Sequence, residues 1–198
     1  ENARLFETEQ KNRERAETLR EATAALTITT VDLETLYETI LDSLLKLVPY
    51  DSASIANYDQ GYLQIVAGKS LNENKICVGT KYPYDISQIG KTETLREPII
   101  IPDVRLDDQF EKNKETKYIR GWMGVSLVIQ DRLIGFLNFD SAQPNFYTKE
   151  HAALAQTFCH QAAIAIENVR LFQEESRRSQ TIEAMMNIAN EFATAQEI

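Results

Sequence analysis

The chain contains 198 residues, of which 43% are apolar and 26% charged, a composition typical of one soluble globular domain with an extension. Its net charge of −9 argues against sequence-independent nucleic-acid binding, which needs a basic surface. Two cysteines are too few for a disulfide scaffold, and we expect neither a membrane-spanning segment nor a signal peptide. Because residue 1 is Glu rather than Met, we expect a fragment of a longer protein.

A long helix is predicted over residues 1–26, which contain neither Gly nor Pro and are rich in Ala, Leu, Glu and Arg. Leu5, Leu19 and Leu26 fall in one heptad phase along this helix. Such a thin apolar seam is too narrow to hold a long helix alone, but it suits pairing with a second helix. These three leucines are therefore predicted interface residues.

A second helix is predicted over residues 32–47, where apolar side chains recur at i, i+3 and i+4. Asp32 is the expected N-cap of this helix, and Pro49 ends it. The apolar pattern then changes to a period of two. Two short strands are predicted over residues 52–58 and 62–68, joined by a hairpin turn.

The middle of the chain contains several Gly and Pro residues and is harder to interpret. We expect a short helix around residues 87–96 and a short buried strand at residues 99–101. Residues 104–118 are polar and charged, which indicates a mobile loop with a short helix. The strongest strands are predicted over residues 122–129 and 133–140.

A long helix is predicted from about residue 149 past residue 175, and its character changes along its length. Residues 152–169 are apolar almost all round, so we expect them to pack against a sheet. Residues 173–180 are wholly polar, which is typical of a connector between domains. Beyond them an amphipathic pattern begins again at Ile182.

The two ends of the chain share an internal repeat. Residues 1–6 match residues 167–172 at five of six positions, and two further glutamates match at the same offset of 166 residues. Chance similarity between two helices is one interpretation, and a tandem array of modules is the one we favour. The chain would then begin on the last helix of one module and end on the first helix of the next, an arrangement suited to passing a signal along helices.

The sequence contains no convincing catalytic or metal-binding motif. His151 and His160 are nine residues apart, which does not fit the i, i+3 or i+4 spacing of two ligands on one helix face. A segment resembling the end of a phosphate-binding loop has Asp85 where the motif needs its first Gly. Cys159 lies in an apolar stretch typical of an inert buried thiol, and Cys77 stands alone. We therefore predict that the chain is not an enzyme, with no catalytic residue and no metal site.

A small-molecule pocket is predicted on one face of the sheet. Alternate side chains of residues 122–129 suit a helical core, and the others face the irregular segment 70–120, which would roof a cavity. Asp140 could be a charged partner for a ligand or a strand-end turn residue, and we favour the second. The alternative to a pocket is that the aromatic residues fill a small second core. The predicted lining, with its aromatic side chains for stacking and its polar ones for hydrogen bonds, is Ser54, Ile89, Phe110, Tyr118, Trp122, Ser126 and Asn138.

Several segments of the chain, in order across residues 20–175, resemble GAF domains. The resemblance implies an α+β fold with a central antiparallel sheet of about six strands. The N- and C-terminal helices would pack on one face of that sheet, with loops and short helices over a ligand pocket on the other. GAF domains occur in sensor kinases, cyclases and transcription regulators, and are usually dimeric through those helices. The segments that resemble the family are residues 47–55, 101–104, 119–127, 133–141, 146–150 and 161–172.

The ligands known for this family do not carry over to these residues. Of the motif found in cyclic-nucleotide-binding GAF domains, only Phe146 is kept. Bilin-binding relatives attach their chromophore to a Cys in the helix before the strand that starts near residue 119, and residues 111–118 contain no Cys. Relatives that reduce methionine sulfoxide need several pocket cysteines. The ligand and any cofactor are therefore unidentified.

We predict a cytoplasmic sensory or signal-relay GAF domain over residues 21–175, within a larger signalling protein such as a two-component sensor kinase. Residues 1–20 and 176–198 would be connector helices. Its expected partners are a small molecule, adjacent domains of the same chain and a second copy, with neither nucleic acid nor membrane. A purely structural dimerisation module is one alternative, and a thiol-based reductase of the methionine sulfoxide type is another. The predicted interface residues are Leu5, Leu19, Leu26, Val169 and Phe172.

Overall fold

The secondary structure was assigned in a computed structural model, which describes residues 2–26, 32–72, 76–83, 97–108, 110 and 114–195. A short 3-10 helix, Val104–Leu106, lies between the fourth and fifth strands. The helices of the described residues are α1 (Asn2–Leu26), α2 (Leu33–Leu47) and α3 (Lys149–Ala195). The strands are β1 (Ser52–Asp59), β2 (Tyr62–Ser70), β3 (Lys81–Pro83), β4 (Ile99–Ile101), β5 (Gly121–Ile129) and β6 (Arg132–Ser141).

The helices begin and end where their capping residues require. The Asp32 carboxylate accepts a hydrogen bond from the backbone N–H of Thr35 at 2.9 Å, which satisfies a free donor at the start of α2. Pro49 follows the end of α2 closely. At the start of α3, Thr148 Oγ1 accepts from the N–H of His151 at 3.3 Å. The predicted N-cap and the predicted end of α2 are confirmed.

Two tight hairpins connect the long strands. The β1–β2 turn has positive φ at Gln60 (46°) and Gly61 (83°), and the β5–β6 turn has positive φ at Gln130 (44°) and Asp131 (67°). Positive φ at both central residues is the geometry of the turn that matches the twist of a two-residue hairpin. The predicted hairpin of β1 and β2 is therefore confirmed, and β5 and β6 form a second one.

The six strands form one antiparallel sheet in the order β3-β2-β1-β6-β5-β4. The first and last long strands of the chain, β1 and β6, are neighbours at its centre. This confirms the predicted α+β class with its central antiparallel sheet. The three-residue edge strand β3 is a finding that the sequence did not suggest, because so short a segment ending in a Pro shows no alternation.

All three helices pack on one face of the sheet and form the main core. Alternate residues of the central strands, such as Ile55, Met123, Leu137 and Phe139, point into this core and are fully buried. The core continues along α3 as far as Val169 and covers one side of α1 and of α2. The prediction that the N- and C-terminal helices pack on one face of the sheet is therefore confirmed.

Three further predictions concern the segment 87–96, the region 104–118 and the last helix. The expected helix at residues 87–96 lies outside the described residues. In the region 104–118, a 3-10 helix at Val104–Leu106 is followed by a turn at residues 114–118. The last helix continues without interruption to Ala195, through the polar segment 173–180.

Candidate functional site

A row of four small or polar residues crosses the sheet on the face opposite the helices. Gly124 of β5 lies opposite Asn138 of β6, which lies opposite Ser54 of β1, which lies opposite Gly68 of β2. Because successive side chains of a strand point to opposite faces, the neighbours of these residues in each strand point into the helical core. We call these four residues the polar row.

Ser54 and Asn138 form the centre of the polar row. The side-chain amide Nδ2 of Asn138 donates a hydrogen bond to Ser54 Oγ at 3.2 Å. Asn138 is only 8% exposed, and its Oδ1 has no hydrogen-bond partner among the described residues. Leaving a buried acceptor unpaired costs about 1–3 kcal/mol. This oxygen can therefore accept a hydrogen bond from any donor that enters the site.

Two large side chains cover the ends of the polar row. A Cβ atom on Gly124 would overlap the indole of Trp122, and a Cβ atom on Gly68 would overlap the side chain of Ile76. Each glycine is therefore needed for the close approach of its neighbour. The Ser54–Asn138 pair consequently lies between an indole ring on one side and an isoleucine on the other.

Trp122 belongs to an apolar cluster at one end of this sheet face. Its side chain is 4% exposed and packs with Ile101, Val104 and Ile119. The Phe110 ring meets the indole edge-on, with ring centroids 6.1 Å apart and planes at 66°. These contacts match a small second core and leave little of the indole for stacking on a ligand. A further cluster at the other end of the face contains Ala56, Leu63, Leu133 and Phe136.

An ion pair fixes the segment that carries the Trp122 cluster. The Arg120 guanidinium donates from Nε to one oxygen of Asp103 at 3.0 Å and from Nη2 to the other at 2.5 Å. This pairing lowers the pKa of Asp103 to about 2. Val104 and Ile119 are the immediate chain neighbours of the two partners, so the two-point contact holds them beside the indole.

A chain of hydroxyl hydrogen bonds leads to a carboxylate at the edge of the polar row. Ser52 Oγ donates to Asp140 Oδ2 at 2.6 Å, and the Tyr118 hydroxyl lies 2.5 Å from the same Ser52 oxygen. Because the Ser52 proton points at the carboxylate, Tyr118 is the donor in the second bond. Ser52 is the cross-strand neighbour of Asp140, which is in turn the neighbour of Trp122.

The environment of Asp140 favours its protonated form. Burial raises the pKa of Asp140 to about 6, against the opposing effect of the hydrogen bonds from Ser52 and Tyr118. Burial also raises the pKa of Tyr118 to about 12. Among the described residues, no cation forms an ion pair with Asp140. The site therefore holds a carboxyl group that can release or take up a proton near neutral pH.

The predicted lining residues divide between two places. Ser54, Phe110, Tyr118, Trp122 and Asn138 lie at the polar row or in its bordering contacts. Ile89 lies outside the described residues, so its role stays a prediction. Ser126 follows further along β5 and lines a separate groove of about 150 Å³, whose other lining residues are Pro98, Val125, Val128, Gln156 and His160.

The predicted interface residues also differ in their surroundings. Leu19 packs against the main core and Leu26 is buried in it, so other residues of this chain already cover both. Val169 packs partly against the same core, whereas Phe172 is exposed. Leu5 lies within α1, and the surroundings of its side chain are outside what the structure describes. Their role in a dimer stays a prediction.

The thiols and histidines are not gathered at the polar row. Cys159 is buried in the core on the helical side of the sheet, and burial raises the pKa of its thiol. Cys77 is half-buried in the connection between β2 and β3. His151 packs against the rings of Phe146 and Tyr147 at the start of α3. Within the described residues, no group of His, Cys, Asp and Glu has an arrangement that could hold a metal ion.

Three features of the site were not found from the sequence. Ser52 begins β1 two residues before Ser54, so simple alternation places both on one face, and this was the available signal. Gly124 and Gly68 lie inside predicted strands, where a glycine often marks a close approach of another group. Asp140 ends the predicted strand, and we favoured a strand-end turn residue over a charged partner; in the structure it lies within β6 and accepts a hydrogen bond from Ser52.

The fold and the site together define a small α+β domain with a polar site on the sheet face that its helices leave free. The family model of the GAF domain matches residues 32–166. The chain therefore belongs to the GAF domain family. None of the curated proteins matches the chain significantly.

Solved structures with the same fold come from proteins of different function. The GAF domain of a phosphoenolpyruvate-protein phosphotransferase from Coxiella burnetii has a TM-score of 0.69 at 21% identity, covering 79% of this chain and 95% of its own. The GAF domain of a two-component sensor histidine kinase from Bacillus halodurans has a TM-score of 0.61 at 17% identity, and the match covers 73% of this chain and 99% of that domain. The free methionine-R-sulfoxide reductase from Neisseria meningitidis, in complex with its substrate, has a TM-score of 0.66 at 15% identity, and the match covers 79% of this chain and 90% of the reductase. At these identities the likeness shows the fold alone.

Proposed function

We propose that this GAF domain is a non-catalytic sensory module that binds a small molecule over the polar row. It would pass the response through its helices to adjacent domains of a larger signalling protein. The observation that carries this proposal is the Oδ1 atom of Asn138, a buried acceptor with no partner among the described residues. An unpaired acceptor persists only where something offsets its cost, and a ligand donor does so when it binds.

The polar atoms of the site indicate which ligand chemistry it would accept. Asn138 Oδ1 and the Asp140 carboxyl can both accept hydrogen bonds from a ligand, and they lie on the same face of β6 two residues apart. A ligand with N–H groups, in particular a cationic amine, would satisfy both acceptors and keep Asp140 ionised. The apolar clusters on either side would take up the less polar part of such a molecule.

The same strands connect the polar row to the helices. Ser54 lies between Ala53 and Ile55, and Asn138 lies between Leu137 and Phe139. All four of these neighbours are buried under the helices. A ligand that shifts the Ser54–Asn138 pair would therefore disturb the packing of α1 and α3, which is a physical route from the site to the connector helices.

Dimerisation and location belong to the same proposal. Phe6, Leu171 and Phe172 are exposed apolar residues on the helices, which supports a helix-mediated homodimer. Among the described residues no helix is both long enough and apolar enough to cross a membrane. We propose a cytoplasmic location, which the two free thiols support because cysteines are kept reduced there.

A thermal-shift panel of small molecules with and without N–H groups, combined with native mass spectrometry, tests ligand binding. We expect an amine to bind and to raise the melting temperature. Asn138→Ala should weaken its affinity by about tenfold, since a buried hydrogen bond is worth roughly 1–3 kcal/mol. Asn57→Ala is the matched control, because the Asn57 amide pairs with Tyr37 on the helical side of β1.

Two results would favour the alternatives. If no compound binds and Asn138→Leu is as stable as the unchanged protein, the site is filled by its own side chains and the domain is a structural dimerisation module. The Neisseria meningitidis reductase shows that the fold can carry catalysis. Reduction of free methionine sulfoxide that is lost on replacing Cys77 and Cys159 by Ser would establish a thiol-based enzyme instead.

A further inference from the structure

The second half of α3 exposes large apolar side chains. Beyond Val169, none of the described residues of α3 is buried in the core. Beyond Phe172, four large apolar residues of the helix have between 50% and 65% of their surface exposed. They are Ile182, Met185, Met186 and Ile188. So much exposed apolar surface on one helix is typical of an interaction site.

The internal repeat assigns these four residues to two different faces. At the offset of 166 residues, Met185 corresponds to Leu19 and Ile188 corresponds to Ala22. In α1 these two positions face inward: Ala22 is buried in the core and Leu19 packs against it. The next member of the same helix face, Leu26, is also buried and corresponds to Phe192.

The other two apolar residues of α3 correspond to exposed positions of α1. Ile182 corresponds to Ala16 and Met186 corresponds to Arg20, and both α1 residues are exposed. Met185, Ile188 and Phe192 follow one another at spacings of three and four residues, so they share one side of the helix. The repeat therefore separates a Met185–Ile188 face from the rest of the exposed surface.

The covered face of α1 shows what such a face packs against. α1 lies against α2 and the first part of α3, and Arg15 forms an ion pair with Glu150 at the start of α3. The apolar contacts of Leu19, Ala22 and Leu26 are made within this three-helix arrangement. A helix that repeats the α1 pattern needs an equivalent pair of helices to cover it.

We propose that the Met185–Ile188 face of α3 is the docking surface of a second GAF domain that follows in the same polypeptide. The α2- and α3-like helices of that domain would cover Met185 and Ile188 as α2 and α3 cover Leu19 and Ala22 here. α3 is then at once the last helix of one domain and the first helix of the next. This inference rests on the proposed role of the helices as connectors, and it adds the face, the residues and the partner.

Thiol labelling of single cysteines tests this proposal. Met185→Cys, Ile188→Cys and the control Met186→Cys are each made in a Cys77→Ser background, where the remaining Cys159 is buried. Maleimide labelling is measured in residues 1–198 and in the protein that continues beyond Ile198.

All three sites should react at similar rates in the shorter chain. In the longer protein, positions 185 and 188 should react at least about tenfold more slowly, because labelling then requires the covered face to open, while position 186 is unchanged.

Three results would overturn the proposal. Equal labelling of positions 185, 186 and 188 in the longer protein would show that nothing covers this face. Protection already present in residues 1–198, at concentrations where the chain is dimeric, would identify a second copy as the occupant. A continuation beyond Ile198 without the α2 pattern at the 166-residue offset would remove the partner. Failure of ligand binding at the polar row would leave the labelling result intact, so the two proposals can fail separately.

Discussion

The two faces of the sheet are built from the same strands but differ in what they bury. In β1 and β6, alternate residues such as Ile55, Leu137 and Phe139 enter one continuous core under the three helices. On the opposite face, Ala56 and Phe136 of these strands belong to one small apolar cluster and Trp122 of β5 belongs to another, with the polar row between the two. The helical face therefore supplies most of the stability, which leaves the opposite face free to hold unpaired polar groups.

Removing a core side chain from β6 tests whether the helical face supplies most of the stability. Phe139 is fully buried and contacts Tyr50 and Tyr147 edge-on. We expect Phe139→Ala to lower the free energy of unfolding by about 3–5 kcal/mol, because it removes buried apolar area and leaves a cavity. Urea denaturation followed by circular dichroism measures the change.

A matched control uses the same substitution on an exposed residue. Phe172 is about half exposed on α3, so Phe172→Ala should change the free energy of unfolding of the monomer by less than about 0.5 kcal/mol. A loss below about 1 kcal/mol for Phe139→Ala would contradict the assignment of stability to the helical face.

Local rules were enough to predict most of the fold. Asp32, the two hairpin turns and the alternation in residues 122–129 and 133–140 each specify their element through neighbouring residues. β3 could not be predicted, because three residues at a sheet edge carry no period and their pairing with β2 is decided by tertiary contacts.

The site was predicted less completely than the fold. Cross-strand register depends on which strands become neighbours, and no single segment of the sequence determines that. Ser54 and Asn138 were both chosen, but their direct pairing depends on β1 and β6 becoming neighbours across 84 residues of chain. The same register brings Ser52 to Asp140, so that a residue interpreted as part of a turn is a half-buried acid with a hydrogen-bond donor beside it. Helix phase alone does not say which helix a face meets: Leu19 and Leu26, predicted to meet a partner chain, also pack within the core of this one.

The next test adds a single carbon atom to the polar row. In Gly124→Ala the new Cβ would overlap the Trp122 indole, so the ring must leave its packed position. We expect a loss of about 1–3 kcal/mol in the free energy of unfolding, the usual cost of overpacking. Because Trp122 is the single tryptophan of the chain, its fluorescence reports the displacement directly.

A double-mutant cycle separates this overlap from a general effect of alanine in β5. Trp122→Phe shortens the ring that the new Cβ meets, so the two substitutions together should cost less than the sum of the two alone. Ser126→Ala, two residues further along the same strand, should leave the tryptophan fluorescence unchanged. Strict additivity would contradict the inferred contact between Gly124 and the indole.

The titration of Asp140 makes the stability of the domain depend on pH. The pKa of Asp140 is raised from its ordinary value of 3.8 to about 6, so between these values the folded protein holds a proton that the unfolded chain has released. Stability therefore gains from this group as pH falls from 7 towards 4. Asp140→Asn keeps the group neutral at every pH. We expect it to be more stable than the unchanged protein at pH 7.5 by at most about 3 kcal/mol, the equivalent of a shift of roughly two pKa units, with the difference becoming small near pH 4.

Urea denaturation at several pH values, with Asp59→Asn as a control at the exposed end of β1, distinguishes this effect from a general change in net charge. A general effect of net charge would change the stability of both variants alike, whereas the titration of the half-buried Asp140 would change only that of Asp140→Asn. An amine bound at the polar row would reverse the sign, because its positive charge stabilises the ionised carboxylate that the substitution removes. The same variant would then lose the ligand's stabilisation at pH 7.5, so its behaviour with and without ligand separates the role of Asp140 in folding from its role in binding.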